Sequence, residues 1–579
     1  LTLSRYDNLG NMLSRKTSQA IREYAYNGLN TISIRGTSPR HTGIFWNGVQ
    51  LNPVNTGLMD LSLIPVGFFS DIHVINGGAN TVNGENSIGG SIHLGNEPAF
   101  TTQGSGSGGI KAGSYSDYSG FGHVLLSSKK WHSKTSVMLR KAENDFYFRS
   151  LMNEEVRLEN ASLQQFGFMQ DLFVKVGKST IAGGSVWVQD NYKEIPATIT
   201  SKPSDAFQND HALRTLLSVK HYFKRSDFSL KGAYFSDRLH YKDPDTVHDL
   251  QIDSEIETAR YTLLGDYNQK INQNIALTSG FNLALNRGIS LNYIEKSRQD
   301  QWGLFFMFSQ DIPAIQWKYN IILRQDFVLN DAAPFTPSLA TEIVLVRNIS
   351  ARGSLSRNFK APTFNDLYWI PGGNPDLKAE YGWSEDIGII YNHAAKGKIN
   401  LKAEISAFSL QVNDWIVWVP DATFWKPQNI QQVWSRGFET DVKIKTILGK
   451  SEVRFSGGYT YTRSTNEKST SDNDQSLRKQ LIYVPLHRFF LDLIYNRNGL
   501  IVNPTLNYNG FRYITTDNLY RLPAYGLIDL TISRSFAIKV YSINLRFDIH
   551  NVFNTEYQAV QYYPMPGRHY SIILQCSIN

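Results

Sequence analysis

Ile543-Asn544-Leu545-Arg546-Phe547-Asp548-Ile549-His550 alternates apolar and polar residues without a miss. A period of two puts every apolar side chain on one face of a β-strand and every polar one on the other. The same zigzag returns as Ile528, Leu530 and Ile532 against Asp529, Thr531 and Ser533, and as Leu401, Ala403, Ile405 and Ala407 against Lys402, Glu404 and Ser406. It closes the chain as Tyr570, Ile572, Leu574, Cys576 and Ile578, where Ile573 alone breaks the rule. Two folds bury such a face. A soluble sandwich turns it to a core between two sheets; an outer-membrane barrel turns it to lipid and lines a wet lumen with the polar face. Roughly 475 residues of strand and loop would make several sandwiches, each with its own linker, whereas one large closed barrel absorbs an uninterrupted pattern. Closure also leaves no strand edge unpaired in hydrocarbon. Aromatics at strand ends, among them Tyr495, Tyr508, Tyr513, Phe547 and Phe553, suit interfacial girdles as well as ordinary sheet packing.

Composition narrows the class. The 579 residues are 41% hydrophobic and 13% aromatic but only 19% charged, below the ~25% of soluble domains. Mean hydropathy is −0.31, and no apolar run approaches the ~20 residues of a membrane helix. A helical membrane protein is excluded; a barrel, whose signal alternation dilutes, is not. The lone Cys576 excludes an internal disulfide framework and Cys-based metal centres. The net charge of +7 is scattered, which reads as solvated loops rather than a nucleic-acid patch.

The first ~97 residues differ in texture. Short β-type runs (Thr31-Ile32-Ser33-Ile34, Gly43-Ile44-Phe45-Trp46, Ile72-His73-Val74-Ile75) are broken by Gly, Asn and Pro, and Asn47-Gly48 predicts a tight hairpin. Residues 1–97 read as a small mixed α/β domain, residues 98–109 with their Gly/Ser run as a flexible linker, and residues 110–579 as the barrel.

Several motifs then occur in order. Ser33-Ile34-Arg35-Gly36-Thr37-Ser38-Pro39-Arg40-His41, Trp46-Asn47-Gly48-Val49-Gln50-Leu51-Asn52 and Ile88-Gly89-Gly90-Ser91-Ile92 resemble the plug of TonB-dependent outer-membrane receptors. Arg357-Asn358-Phe359-Lys360-Ala361-Pro362-Thr363, Asn374-Pro375-Asp376-Leu377-Lys378-Ala379-Glu380, Arg436-Gly437-Phe438-Glu439 and Asn551-Val552-Phe553-Asn554-Thr555-Glu556-Tyr557 resemble the barrel of the same family. Within it the likeness is greatest to cobalamin transporters. The resemblance implies an all-β fold: a 22-stranded antiparallel transmembrane β-barrel in a Gram-negative outer membrane, with the plug inside its lumen. It implies active uptake of a cobalamin-like (cobamide) cargo and no intrinsic cofactor. Implied partners are TonB on the periplasmic side, outer-membrane lipid and a surface-exposed ligand-capturing lipoprotein; nucleic acid is not among them. The TonB-contacting box is not seen, so the chain reads as trimmed ahead of the plug.

The resemblance also nominates residues. Arg35 would lock plug to barrel through Glu380 and Glu439; the competing reading is surface charges worth ~0–1 kcal/mol. The family's second plug arginine is replaced by Asn76-Gly77-Gly78, which predicts a weaker lock. Ligand contacts are expected at plug apices carrying Asn52, Asn55 and Thr56 and at residues 79–85, and from loop aromatics Tyr368, Trp369, Trp415, Trp418 and Trp425. Each Trp is equally readable as a membrane-interface anchor. The plug–barrel contact is expected to be wet and polar throughout.

No catalytic or metal constellation emerges. Asp243, Asp245, Asp249 and Asp253, and separately Asp472 and Asp474, lack the spacing of a calcium loop and read as solvated acids, with bound calcium as the alternative. The thirteen His show no His-Glu-x-x-His spacing. A ferric-siderophore or haem receptor keeps the class and changes the cargo. A passive porin or adhesion barrel would lack the plug, and a secreted β-sandwich enzyme would need a catalytic set that is not found.

Overall fold

The computed structural model describes residues 2–77, 84, 87–201, 203–245, 250–294, 296–329, 331–395, 399–421, 424–469 and 473–578. Among them, 22 antiparallel strands close into one barrel, from Gln103–Gly113 round to His569–Ile578, which pairs back onto the first strand. A two-residue piece, Asp331–Ala332, extends one hairpin without adding a stave.

The deciding stretch lies in the strand Tyr541–His550, and it is inside out relative to a soluble protein. Leu545 and Phe547 are 48% and 37% exposed on the outer wall, while Arg546 and Asp548 are buried in the lumen and joined by an ion pair of 2.7 Å. Charges inside and grease outside is the arrangement lipid requires. Ile573, the exception to the alternation, is 2% exposed because it faces inward, where the lumen is filled. Strands are joined at one end by turns such as 347–348 and 271–274, and at the other by segments as long as 143–162 and 467–486. Short periplasmic turns and long outer loops are the rule for outer-membrane barrels, which orients the molecule.

The Gly/Ser run is the one segment where the expected layout needs correcting. It is not a linker: residues 103–113 are the first barrel strand, with Gly104 to Gly109 in register with the strand Asp117–Ser127 and Gly106 to Gly109 also with His569–Ile578. A strand pairs through backbone, so glycine serves, and at Gly109 it is required. A Cβ there would stand 1.9 Å from the Tyr6 hydroxyl of the plug and 2.7 Å from a neighbouring carbonyl.

The lumen holds the plug. Its helix α1 (Leu9–Lys16) starts on Asn8, whose side chain accepts the Asn11 N–H at 2.8 Å, and buries Leu9, Met12 and Leu13 at helical spacing. A hairpin pairs β1 (Ala20–Glu23) with β2 (Asn30–Ser33). A four-stranded sheet contains β3 (Thr42–Trp46), β4 (Val49–Gln50), β5 (Asp71–Asn76) and β6 (Gly90–Gly95) in the order β4-β3-β6-β5. The predicted Asn47-Gly48 turn joins β3 to β4 with φ of 49° and 91°, both left-handed as a type I′ turn demands.

The plug–barrel contact is not uniformly wet, contrary to expectation. On one side Trp46, Phe68 and Phe69 pack against Trp187 of the wall, at ring separations of 5.5, 6.4 and 5.5 Å. Phe121, Met169, Leu216 and Phe235 complete this shared core. Across the lumen the contact is polar, and there the candidate site lies.

Candidate functional site

Plug residues 35–41 leave β2 and run along the polar wall. Arg35 and Gly36 both adopt left-handed backbone, with φ of 54° and 69°. The bend presses the chain onto the barrel: a Cβ on Gly36 would meet Thr462 at 2.8 Å and Ser464 at 2.9 Å, so glycine is needed. Ser464 Oγ donates to the Gly36 carbonyl at 2.9 Å, and the Ser435 hydroxyl donates to that of Arg35.

The Arg35 side chain is fully buried. Its Nη2 donates to Asp386 Oδ1 at 2.5 Å and to Glu439 Oε2 at 3.0 Å, Nε donates to Glu439 Oε1 at 3.4 Å, and the guanidinium lies 4.6 Å over the Phe408 ring. Burial works against the charge, but Glu439 and Asp386 outweigh it and hold the guanidinium pKa above its ordinary value. Two carboxylates sharing one cation make a lock, not a surface pair.

The expected partners need one correction. Glu439 is a partner; Glu380 is not. Glu380 sits at the top of the strand Glu380–Ala395 and binds Lys360 at 3.0 Å, His41 at 3.2 Å and the Ile416 N–H at 2.8 Å. Asp386, six residues down the same strand and on the same lumen-facing side, takes the place expected for it. Asn76, standing where the family's second arginine was expected, donates to Glu439 at 3.1 Å. It supplies a hydrogen bond in place of a second charge. Gly77 next to it makes room: a Cβ there would stand 2.7 Å from Arg35 Nη1 and 2.8 Å from Asp386 Oδ2.

Above the lock, loop 361–379 folds over the plug apex. Its helix α2 (Phe364–Tyr368) begins with a capping box between Thr363 and Asp366. The Phe364 and Asn365 N–H groups donate to the carbonyls of Val54 and Asn55, each at 3.0 Å. Tyr293, Phe364, Tyr368 and Trp369 pack round Val54 as an aromatic cap. Asp366 fastens it: Arg40 of the plug reaches Oδ1 at 3.2 Å, and Trp418 Nε1 donates to the same atom at 2.9 Å. Burial pushes the Asp366 carboxyl up, but Arg40 and Lys360 outweigh it and hold it below its usual range.

The ligand nominees therefore divide. Asn52 is withdrawn: it is buried inside the plug, accepting the Ile44 N–H at 2.8 Å and donating to the carbonyls of Thr42 and Gly57. Asn55 is buried beneath the cap and Thr56 is half-buried beside it. Tyr368 and Trp369 are cap residues. Trp415 and Trp418 are neither anchors in the membrane interface nor free: Trp415 packs edge-on to His41 at 4.4 Å, and Trp418 holds Asp366. Trp425 is 58% exposed near the outer end of its strand. Residues 79–83 and 85 of the second apex lie outside the described residues, as do Asp249 and Asp472. Asp253 is engaged by His240 at 2.8 Å, and no group of three or more potential metal ligands occurs among the described residues.

Barrel, lumen plug, buried lock and outer loops are the parts of a gated receptor, and comparison agrees. Residues 159–552 match the TonB dependent receptor-like β-barrel family and residues 2–91 the TonB-dependent Receptor Plug Domain. The chain belongs to the TonB-dependent receptor family. It is 23% identical over 588 residues to the vitamin B12 transporter BtuB of Photobacterium profundum, spanning 97% of this chain and 88% of that one. It is 24% identical over 572 residues to the protein of the same name from Vibrio vulnificus, spanning 94% and 85%. Among solved structures it resembles the copper transporter OprC (TM-score 0.79, 13% identity, 99% and 95% covered). It also resembles the siderophore receptor PirA from Acinetobacter baumannii (0.78, 15%, 99% and 96%). At these identities the structures speak for the fold. A Gram-negative outer membrane is the location that barrel and family share.

Proposed function

We propose that this receptor takes up a cobalamin-like ligand, energised through TonB contact on the periplasmic side. The observation that carries the proposal is the likeness, through plug and barrel together, to relatives named as vitamin B12 transporters. The cap is in keeping with it. Tyr368 and Trp369 offer rigid aromatic area for a large amphipathic ligand, and Asp366 at its base is paired with Arg40.

Cargo would displace loop 361–379 from the apex and take its place over Val54, Asn55 and Thr56. The same short plug segment carries Arg40, which holds the cap, His41, which holds Glu380, and Arg35, which holds the lock. Movement at the cap is thereby coupled through a short run of chain to the bond that retains the plug.

Binding of cyanocobalamin to the purified receptor, measured by calorimetry, is expected to be tight and to weaken in Trp369→Ala. Absence of cobalamin binding with tight ferric-siderophore binding in its place would overturn the cargo and leave the receptor class standing.

A further inference from the structure

Below the lock, on the periplasmic half, a cavity of about 830 Å³ separates the plug from the wall. On the plug side it is bounded by Lys16 to Gln19 and by β5; on the barrel side by the strands from Trp317–Val328 to Phe424–Leu448. Asp386, Glu439 and Asn76, the groups that engage Arg35 and its partner, form its inner end. Near the periplasmic turns its wall opens to solvent, with Lys318 and Lys443 side chains 70% and 61% exposed. The volume is on the scale of a whole small-molecule ligand.

Three observations make this more than a gap. First, most of its charges are paired, among them Arg352 with Glu404 at 2.5 Å, Lys443 with Asp441 at 3.2 Å, and Lys16 with Asp492 at 2.7 Å. Such a lining is wetted while carrying little unpaired charge of either sign. Second, among the described residues β5 is an edge strand, bonded to β6 alone, so the plug presents a sheet edge to the cavity. Third, the opposite face of the plug is fastened by the aromatic core around Trp187. Opening that side would expose large aromatic surface to water; opening this side mainly exposes polar groups that water can take up.

We infer that the cavity is the standing lower half of the transport passage. Cargo leaves the lumen between β5 and the wall of residues 317–448, and the Arg35 lock is the door between the cap and this vestibule. The dry face stays attached as the hinge. The inference rests on the chain being a transporter and is independent of the cargo.

A cargo-free measurement tests it, so its failure is separable from failure of the cobalamin reading. The receptor, with Cys576→Ser, is placed in planar bilayers and its ion current recorded. Arg35→Ala, and separately Glu439→Gln, should raise the current roughly tenfold or more, since each breaks a buried charge pair. In either background Ala340→Cys or Ser354→Cys, both in the vestibule wall, should lose most of that gain when coupled to a polyethylene-glycol maleimide. The same label on the native, outward Cys576 should leave it unchanged. Heat-modifiable gel mobility confirms a closed barrel in each variant. Current that survives labelling at both positions, or that neither lock variant raises, overturns the assignment.

Discussion

The two sides of the plug are held by different mixtures of apolar and ionic contact. Toward the strands from Asp117–Ser127 to Ser226–Asp245, aromatic rings interlock, with polar ties beside them: Lys193 of the wall pairs with Asp60 and Lys134 donates to the Phe68 carbonyl. Toward the strands from Trp317–Val328 to Phe424–Leu448, one arginine, two carboxylates and an amide hold the plug beside a cavity lined by both polar and apolar groups. An aromatic contact is lost gradually as area is exposed. A buried ion lock fails when one partner is removed, because the charge left behind is unpaired. A gate that must stay shut at rest and yield to a directed pull is served by having one of each.

That contrast can be broken most forcefully from the dry side. Phe68→Ala or Trp46→Ala should cost about 3–5 kcal/mol in plug–barrel stability, read as a lower first transition in calorimetry, with bilayer current rising only as far as the plug is lost altogether. Next, Arg35→Ala should cost about 3 kcal/mol, the lower end of the range for removing one partner of a buried pair. It should raise bilayer current while leaving cap fluorescence in place. Arg35→Lys, which keeps charge but not the fork to two carboxylates, should fall between.

These positions also measure how far the chain could be read without coordinates. Arg35 and Glu439 were legible because each sits in a motif with a known role. Glu380 was legible as important but assigned to the wrong partner: one strand carries two inward acids, and a period-two pattern gives the face without the height. Asp386 is unremarkable in sequence, one polar residue in an alternating run. The dry contact was invisible because Trp187 and Phe121 are lumen residues at positions where an open barrel would be polar; they are apolar because the plug covers them. Residues 104–109 misled for the opposite reason, since glycine that accommodates Tyr6 reads like glycine in a linker.

Smaller effects sharpen the wet side. Gly77→Ala places a methyl against Arg35 and Asp386 at a φ of +72°. It should loosen the lock by about 1–2 kcal/mol, seen as raised current in a receptor that still folds. Arg40→Ala removes a pair whose arginine is partly exposed, worth about 1 kcal/mol or less, and should speed protease cleavage of loop 361–379 without raising the current. Acid should mimic it. The Asp366 carboxyl is held below its ordinary value in the folded state. Its contribution is therefore fully present above that ordinary value and is lost as pH falls through the depressed one. Tryptophan fluorescence from Trp369 and Trp418 should change over that acid range, and Asp366→Asn should abolish the change.

The most direct test of a plug hinged on its dry face and released on its wet one is native-state hydrogen exchange of the receptor in mild denaturant, resolved along the plug. The amides of Asp71–Asn76 should open first, while those of residues 61–69 and of Thr42–Trp46 open only with global unfolding. Exchange of residues 61–69 at the same denaturant concentration as Asp71–Asn76, or before it, would contradict the account.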